Sequence, residues 1–187
     1  MNTSDYYKNY TGSVRSAIDA IPVNALEQII EQLDKARRSR ATVYIFGNGG
    51  SAATASHFAS DLAKGAQANG KPGLRTICLS DNFAVFTAWA NDSGYDNVFS
   101  AQLENLVQPG DIAIGISGSG NSHNVLKGIH AARGRGIVTV GITGFDGGKL
   151  KDIADIPLAV PNNNMEQVED IHMLLCHFIT SYLREVI

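Results

Sequence analysis

Apolar residues recur at helical spacing through roughly the first forty positions and then contract into short runs. Over 24–38, Leu26, Ile29, Ile30 and Leu33 share one helical face, and 6–21 carries a similar stripe. Pro22 separates the two stretches, because proline disfavours the helical conformation of the residue before it. From residue 42 onward the pattern changes. The short runs are 42–46, 74–79, 111–116, 137–142 and 156–160, and several of them are apolar almost throughout, as strands read when both faces are covered. Between them lie helical patterns over 51–64, 82–91, 98–107 and 122–133, a short one over 148–153, and a last one over 165–186. This alternation predicts an α/β fold, a parallel sheet with right-handed crossovers and helices on both faces. The chain reads as one domain over 1–187, with N-terminal helices over about 1–40 and an α/β core over 41–187. The polar stretch 65–73 is too short to separate domains.

Composition narrows the class. The chain has 187 residues, 44% hydrophobic and 18% charged, with a net charge of −3, which suits one sizeable core. Its only dense basic run, KARRSR over 35–40, falls at a helix C-terminus, where positive charge is favourable. No nucleic-acid partner is expected. The two cysteines, Cys78 and Cys176, form no C-x-x-C pair, so neither a disulfide framework nor a Cys-rich zinc site is expected. A reducing compartment fits. The opening MNTSDYYKNY lacks the basic start and apolar stretch of a signal peptide, and no apolar run reaches membrane-spanning length. The expected location is the cytoplasm, away from any membrane.

In a sheet of this kind ligands bind beyond the C-terminal ends of the strands. After the first strand pattern come Gly47, Asn48, Gly49, Gly50 and Ser51, opening a helix. After the third come Ser117, Gly118, Ser119, Gly120, Asn121 and Ser122, opening another. Small residues admit an anion close to the backbone, and free N–H groups at a helix start attract it. Ser117, Ser119 and Ser122 add hydroxyl donors, so this second loop reads as a phosphate site. Neither loop carries the Gly-Lys-Ser/Thr ending of a P-loop. The first matches G-x-G-x-x-A, but 62–73 holds no acidic residue for a dinucleotide ribose, and Asp81 comes late.

His57 and Asp61 sit four apart on the helix after the first loop and share a face. The final helix carries Glu169, Asp170, His172 and His177. Glu169 and His177, eight apart, share a broad face, while His172 and His177, five apart, diverge. Spacing alone leaves two readings open. The commoner is a surface ion pair with satisfied core histidines. The other is a divalent-cation site of two histidines and two carboxylates, which suits zinc. Asp92 is equally open, as a helix stop in Asn91-Asp92-Ser93-Gly94 or as a ligand for sugar hydroxyls. Trp89 is most simply a packing residue.

The segments GNGGSAATASHFASDL (47–62), WANDSGYDNVFSAQLE (89–104), QPGDIAIGISGSGNSHNVLKGIHAARGRG (108–136), ITGFDGGKL (142–150) and VEDIHMLLCHFI (168–179) resemble the sugar isomerase (SIS) family, and within it the phosphoheptose isomerases. The resemblance implies a flavodoxin-like, doubly wound sheet of five parallel strands and a homotetramer with active sites at subunit interfaces. It implies an aldose–ketose isomerase acting on sedoheptulose 7-phosphate, with one zinc per subunit. The family's phosphate-binding serines match Ser51, Ser117, Ser119 and Ser122, with Gly49, Gly50 and Gly118 in the same loops. Its loop asparagine matches Asn48, and its sugar-contacting aspartate matches Asp92. Its metal and catalytic cluster matches His57, Asp61, Glu169 and His177. Here Asp61 replaces a glutamate, Glu169 a glutamine, Gly65 an arginine and Gly118 a threonine. Two other functions exist for the fold: a non-catalytic protein binding a partner, as in relatives that regulate a replication initiator, and a sugar-phosphate sensor. Retained His177 favours the enzyme.

Overall fold

In the computed structural model, which describes residues 1–68 and 70–187, two helices precede the sheet. Helix α1 (Thr3–Asp19) starts where Asn2 Oδ1 accepts from Asp5 N–H, a side-chain cap for an otherwise unpaired donor. Helix α2 (Val23–Ser39) buries Leu26, Ile29, Ile30 and Leu33, the stripe visible in the sequence. It stops at Arg40 in the left-handed conformation. Strand β1 (Thr42–Gly47), helix α3 (Gly50–Ser60), strand β2 (Arg75–Cys78), helices α4 (Phe83–Ser93) and α5 (Ser100–Leu106), and strand β3 (Ile112–Ser117) follow. Helix α6 (His123–Gly134), strand β4 (Val138–Thr143), helix α7 (Gly148–Ile153), strand β5 (Ile156–Ala159) and helix α8 (Met165–Glu185) complete the chain.

The five strands are parallel in the order β2-β1-β3-β4-β5. The winding reverses between β1 and β3, and that reversal opens a crevice at their C-terminal ends. Ile112, Ile114 and Ile116 join one core with α2, α3 and α8, while Ala113 joins the other with α5 and α6. On that second face small residues let α6 come close. A Cβ on Gly115 would lie 3.0 Å from Val125 Cγ1, and one on Gly128 would lie 2.7 Å from Phe46 Cε2. This tight seat fixes the first turn of α6 at the tip of β3.

Two features depart from the sequence pattern. The helix expected over 51–64 runs α-helical only to Ser60 and widens into a π-helical turn, Asp61–Gly65. The run 74–79 shortens to an edge strand, Arg75–Cys78, with Ile77 39% exposed. Helix α4, which follows it, buries none of its residues and leaves Phe83 75% exposed.

Candidate active site

The two glycine- and serine-rich loops stand side by side at the crevice between β1 and β3. Gly49 has a φ of +53°, and α3 begins at Gly50 without a side-chain cap. A helix start of this kind offers free N–H groups and positive potential. The half-buried Glu169 carboxylate lies over it. A Cβ on Gly50 would be 2.5 Å from Glu169 Oε2 and 2.7 Å from Oε1. Ser51, one residue on, is buried.

In the second loop, buried Ser117 donates to Ser122 Oγ at 3.1 Å. Ser122 is the N-cap residue of α6 but makes no side-chain bond to that helix. Ser119 Oγ accepts from Asn121 N–H at 3.2 Å, and Ser119 O accepts from Asn121 Nδ2 at 2.9 Å. The loop is fastened to the next strand connection. Gly144 N–H donates to Gly118 O at 2.8 Å, and Leu150 N–H to Gly120 O at 2.9 Å. Two helix starts and a loop with three serine hydroxyls therefore stand at the adjacent tips of β1 and β3, an arrangement suited to an anion such as a phosphate ester.

Asn48, in the first loop, forms a reciprocal amide pair with Asn124 of α6. Asn48 Nδ2 donates to Asn124 Oδ1 at 2.7 Å, and Asn124 Nδ2 donates to Asn48 Oδ1 at 2.9 Å. Tyr95 donates a further hydrogen bond to Asn48 Oδ1 at 2.8 Å. Neither Asn124 nor Tyr95 stands out in the sequence. The one signal was an asparagine in the first turn of the helix that follows the serine loop.

His57, Asp61 and His177 meet on α3, its π-helical extension and α8. His57 Nε2 lies 3.3 Å from Asp61 Oδ2, His177 Nε2 lies 3.6 Å from the same oxygen, and the two imidazole nitrogens are 3.0 Å apart. The three side chains are a quarter to a half exposed, and His57 and Asp61 border an open cavity of about 440 Å³ with Ala53, Ser56 and Ser60. One ligand atom from each falls within 4.8 Å of the others. Two imidazoles and a carboxylate converging on one point fit a divalent cation. Glu169, expected in the same set, is not in this trio. It lies two turns earlier on α8, about 12 Å of helix rise away, against Gly50. Asp92, on the last turn of α4, accepts from Asn91 Nδ2 at 2.7 Å.

His172 points into the core, as its divergence from His177 predicts. It is 1% exposed and its Nε2–H donates to Thr143 O at 3.0 Å, while Nδ1 has no partner among the described residues. Burial pushes its pKa below the ordinary histidine value, with the bond to Thr143 opposing. The unfolded chain takes up a proton here as the pH falls through about 6.5, and the folded chain does not. This histidine therefore costs nothing at pH 8. It destabilises the fold progressively below about 6.5, until the folded pKa is passed. Urea unfolding of wild type and His172→Gln at pH 7.5 and 5.5 should show a shallower pH dependence in the variant. Equal dependence would rule out His172 as the source.

Residues 5–144 match the family model for the SIS domain. The chain is 41% identical over 155 residues to the phosphoheptose isomerase of Helicobacter hepaticus, covering 83% of this chain and 79% of that protein. It is 40% identical over 158 residues to that of Trichlorobacter lovleyi, covering 84% and 80%. The solved structure of the phosphoheptose isomerase from Neisseria gonorrhoeae superposes with a TM-score of 0.88 at 31% identity, covering 98% of this chain and 97% of that one. With the serine loops at the switch point and the histidine–aspartate cluster beside them, these matches make the chain a member of the SIS family and, within it, of the phosphoheptose isomerases.

Proposed function

We propose that the protein is an aldose–ketose isomerase interconverting sedoheptulose 7-phosphate and D-glycero-D-manno-heptose 7-phosphate. The observation that carries this reading is the anion-binding loop pair at the strand tips, with acid–base groups from α3 and α8 beside it. Ser51, Ser117, Ser119 and Ser122 grip the phosphate, with the backbone of Gly49, Gly50 and Gly118 in close approach. Holding the phosphate fixes the reacting carbons near the carboxylates. Asp92 binds sugar hydroxyls. A carboxylate, Asp61 or Glu169, removes the C1 proton of the ketose to give an enediol(ate). Proton return to C2, with the matching exchange between the two oxygens, completes the aldose. His177 is the second proton carrier. Glu169 is the carboxylate nearer the loops and Asp61 the one nearer the imidazoles.

The trio His57, Asp61 and His177 suits zinc, one per subunit, while Glu169 stays with the first loop. When bound, the metal supplies polarisation of a substrate oxygen.

The exposed apolar residues of α4 and the β2 edge, Phe83, Val85 and Ile77, support a homotetramer with active sites at its interfaces. Two buried free thiols, Cys78 and Cys176, suit a cytoplasmic protein, as does a chain in which no described helix is long and apolar enough to cross a membrane. No nucleic-acid partner is proposed. The helices over 1–40 and the core over 41–187 act as one SIS unit.

Turnover of sedoheptulose 7-phosphate by the purified protein, followed by NMR with and without zinc, tests the reading. No turnover of this or any related ketose phosphate would remove it. Sugar-phosphate binding without turnover would favour a sensor. Ser119→Ala should raise KM about tenfold or more, since a hydrogen bond to a charged group contributes about 1.5–3 kcal/mol. An unchanged KM would remove the phosphate assignment.

A further inference from the structure

Asn48 is held by groups from two other elements, and their polarity can be traced from a backbone donor. Val125 N–H donates to Asn124 Oδ1 at 2.9 Å, and a backbone N–H can only donate. That bond sets which way round the Asn124 amide sits, and Asn124 is 2% exposed, packed on all sides. Its Nδ2 therefore faces Asn48 Oδ1, and its Oδ1 faces Asn48 Nδ2. The orientation of the second amide follows from the first. Tyr95, on the 3₁₀ turn Tyr95–Asn97, donates to Asn48 Oδ1 as well.

An amide oxygen has two lone pairs and an amide nitrogen two hydrogens. Asn48 Oδ1 accepts from Asn124 and Tyr95, so both lone pairs are engaged. Asn48 Nδ2 has given one hydrogen to Asn124. One N–H is left over. Asn48 is thus no longer an ambivalent amide that could turn its oxygen toward a ligand. It is a one-donor group, two residues from the glycine over which the Glu169 carboxylate lies.

We infer that Asn124 and Tyr95 are positioning residues that lock Asn48 as a fixed N–H donor for the sugar oxygen that gains negative charge as the proton leaves carbon. The inference rests on the isomerase reading of the site. A donor fixed in advance stabilises developing charge without reorganising during the reaction. An amide carbonyl turned toward the same oxygen would repel it. Three of the four phosphate serines occupy the other loop, and Ser51 makes no hydrogen bond with Asn124 or Tyr95, which reach the first loop through the Asn48 side chain alone, so the lock acts on the chemical step rather than on the anchor.

The test compares Tyr95→Phe, Asn124→Ala and Asn48→Ala with wild type. Readouts are kcat for sedoheptulose 7-phosphate, the inhibition constant of inorganic phosphate, and the melting temperature. Removing one donor to a developing oxyanion lowers kcat by about 100-fold or more, which is the expectation for Asn48→Ala. Loosening the lock should lower it about fivefold in Tyr95→Phe and about 50-fold in Asn124→Ala, on the same scale. Phosphate inhibition should stay within about twofold of wild type in Tyr95→Phe and Asn124→Ala, since both residues reach the first loop only through the Asn48 side chain. Adding Tyr95→Phe to Asn48→Ala should change nothing further, because the phenol acts only through that amide. Tyr95 is half exposed, so Tyr95→Phe carries the test even if Asn124→Ala does not fold. A kcat unchanged in Tyr95→Phe, an additive double variant, or phosphate inhibition weakening in step with kcat would each overturn the lock while leaving the isomerase reading intact. A wild-type protein that turns over no sugar phosphate would remove both.

Discussion

His177→Asn is expected to lower kcat on sedoheptulose 7-phosphate by about 10²–10⁴-fold, the usual contribution of a positioned acid–base group. The geometry makes this residue hard to replace. Its Nε2 lies 3.0 Å from His57 Nε2 and 3.6 Å from Asp61 Oδ2, so this one imidazole from α8 meets both the histidine of α3 and the carboxylate on that helix's π-helical extension. Asparagine keeps the polarity and much of the volume but cannot carry a proton near neutral pH. Inhibition by inorganic phosphate should be nearly unaffected, because the serine loops hold that anion through other elements. The substitution also removes one of three converging donors, so zinc affinity measured by competition with a chelating dye should fall about 10-fold or more. His177 is half exposed, so melting temperature should change little. A variant that retains a third or more of wild-type kcat would show that the proton moves through other groups.

Much of the architecture was legible because each strand is a compact apolar run bounded by turn residues. β1 and β3 match their expected spans to within a residue, and α7 matches at both ends. The two loops were legible for the same reason, since small residues directly after a buried strand have few other uses. Local spacing also paired His57 with Asp61. What spacing could not supply is which distant groups meet. His177 is 120 positions from His57; spacing left their meeting in one cation site as one of two open readings, and the family resemblance favoured it. Glu169 shares a helix face with His177, yet two turns of rise take it to Gly50 instead. Tyr95 and Asn124 lie 47 and 76 positions from Asn48, so no pattern along the chain joins them. The π-helical turn at Asp61 escaped because a helix that widens by one residue keeps its composition. The edge position of β2 escaped because its apolar run reads the same whether a neighbour within the chain or a second subunit covers it.

Gly120→Ala is expected to give the largest loss of stability among single changes near the site, and to weaken phosphate binding with it. Gly120 sits at the turn of the serine loop with a φ of +65°, in a region where an L-residue pays about 1–2 kcal/mol. Its missing Cβ is also structural. A methyl there would run into the carbonyl of Gly147, which is backbone and cannot swing aside. Gly120 O accepts from Leu150 N–H, and Gly144 N–H donates to Gly118 O, so relieving the clash means parting the serine loop from the β4–α7 connection. Strain and overpacking together should cost about 2–5 kcal/mol. In a chain of this size each kcal/mol lowers the melting temperature by about 2–4 °C, which puts the expected drop near 10 °C. Gly12→Ala is the contrasting case. Gly12 lies inside α1 with open space where a Cβ would go, and alanine there should stabilise by up to about 1 kcal/mol. If Gly120→Ala melts with wild type and inorganic phosphate inhibits it equally well, the loop is not held against Gly147, and the rigid anion grip that positions the sugar has lost its support.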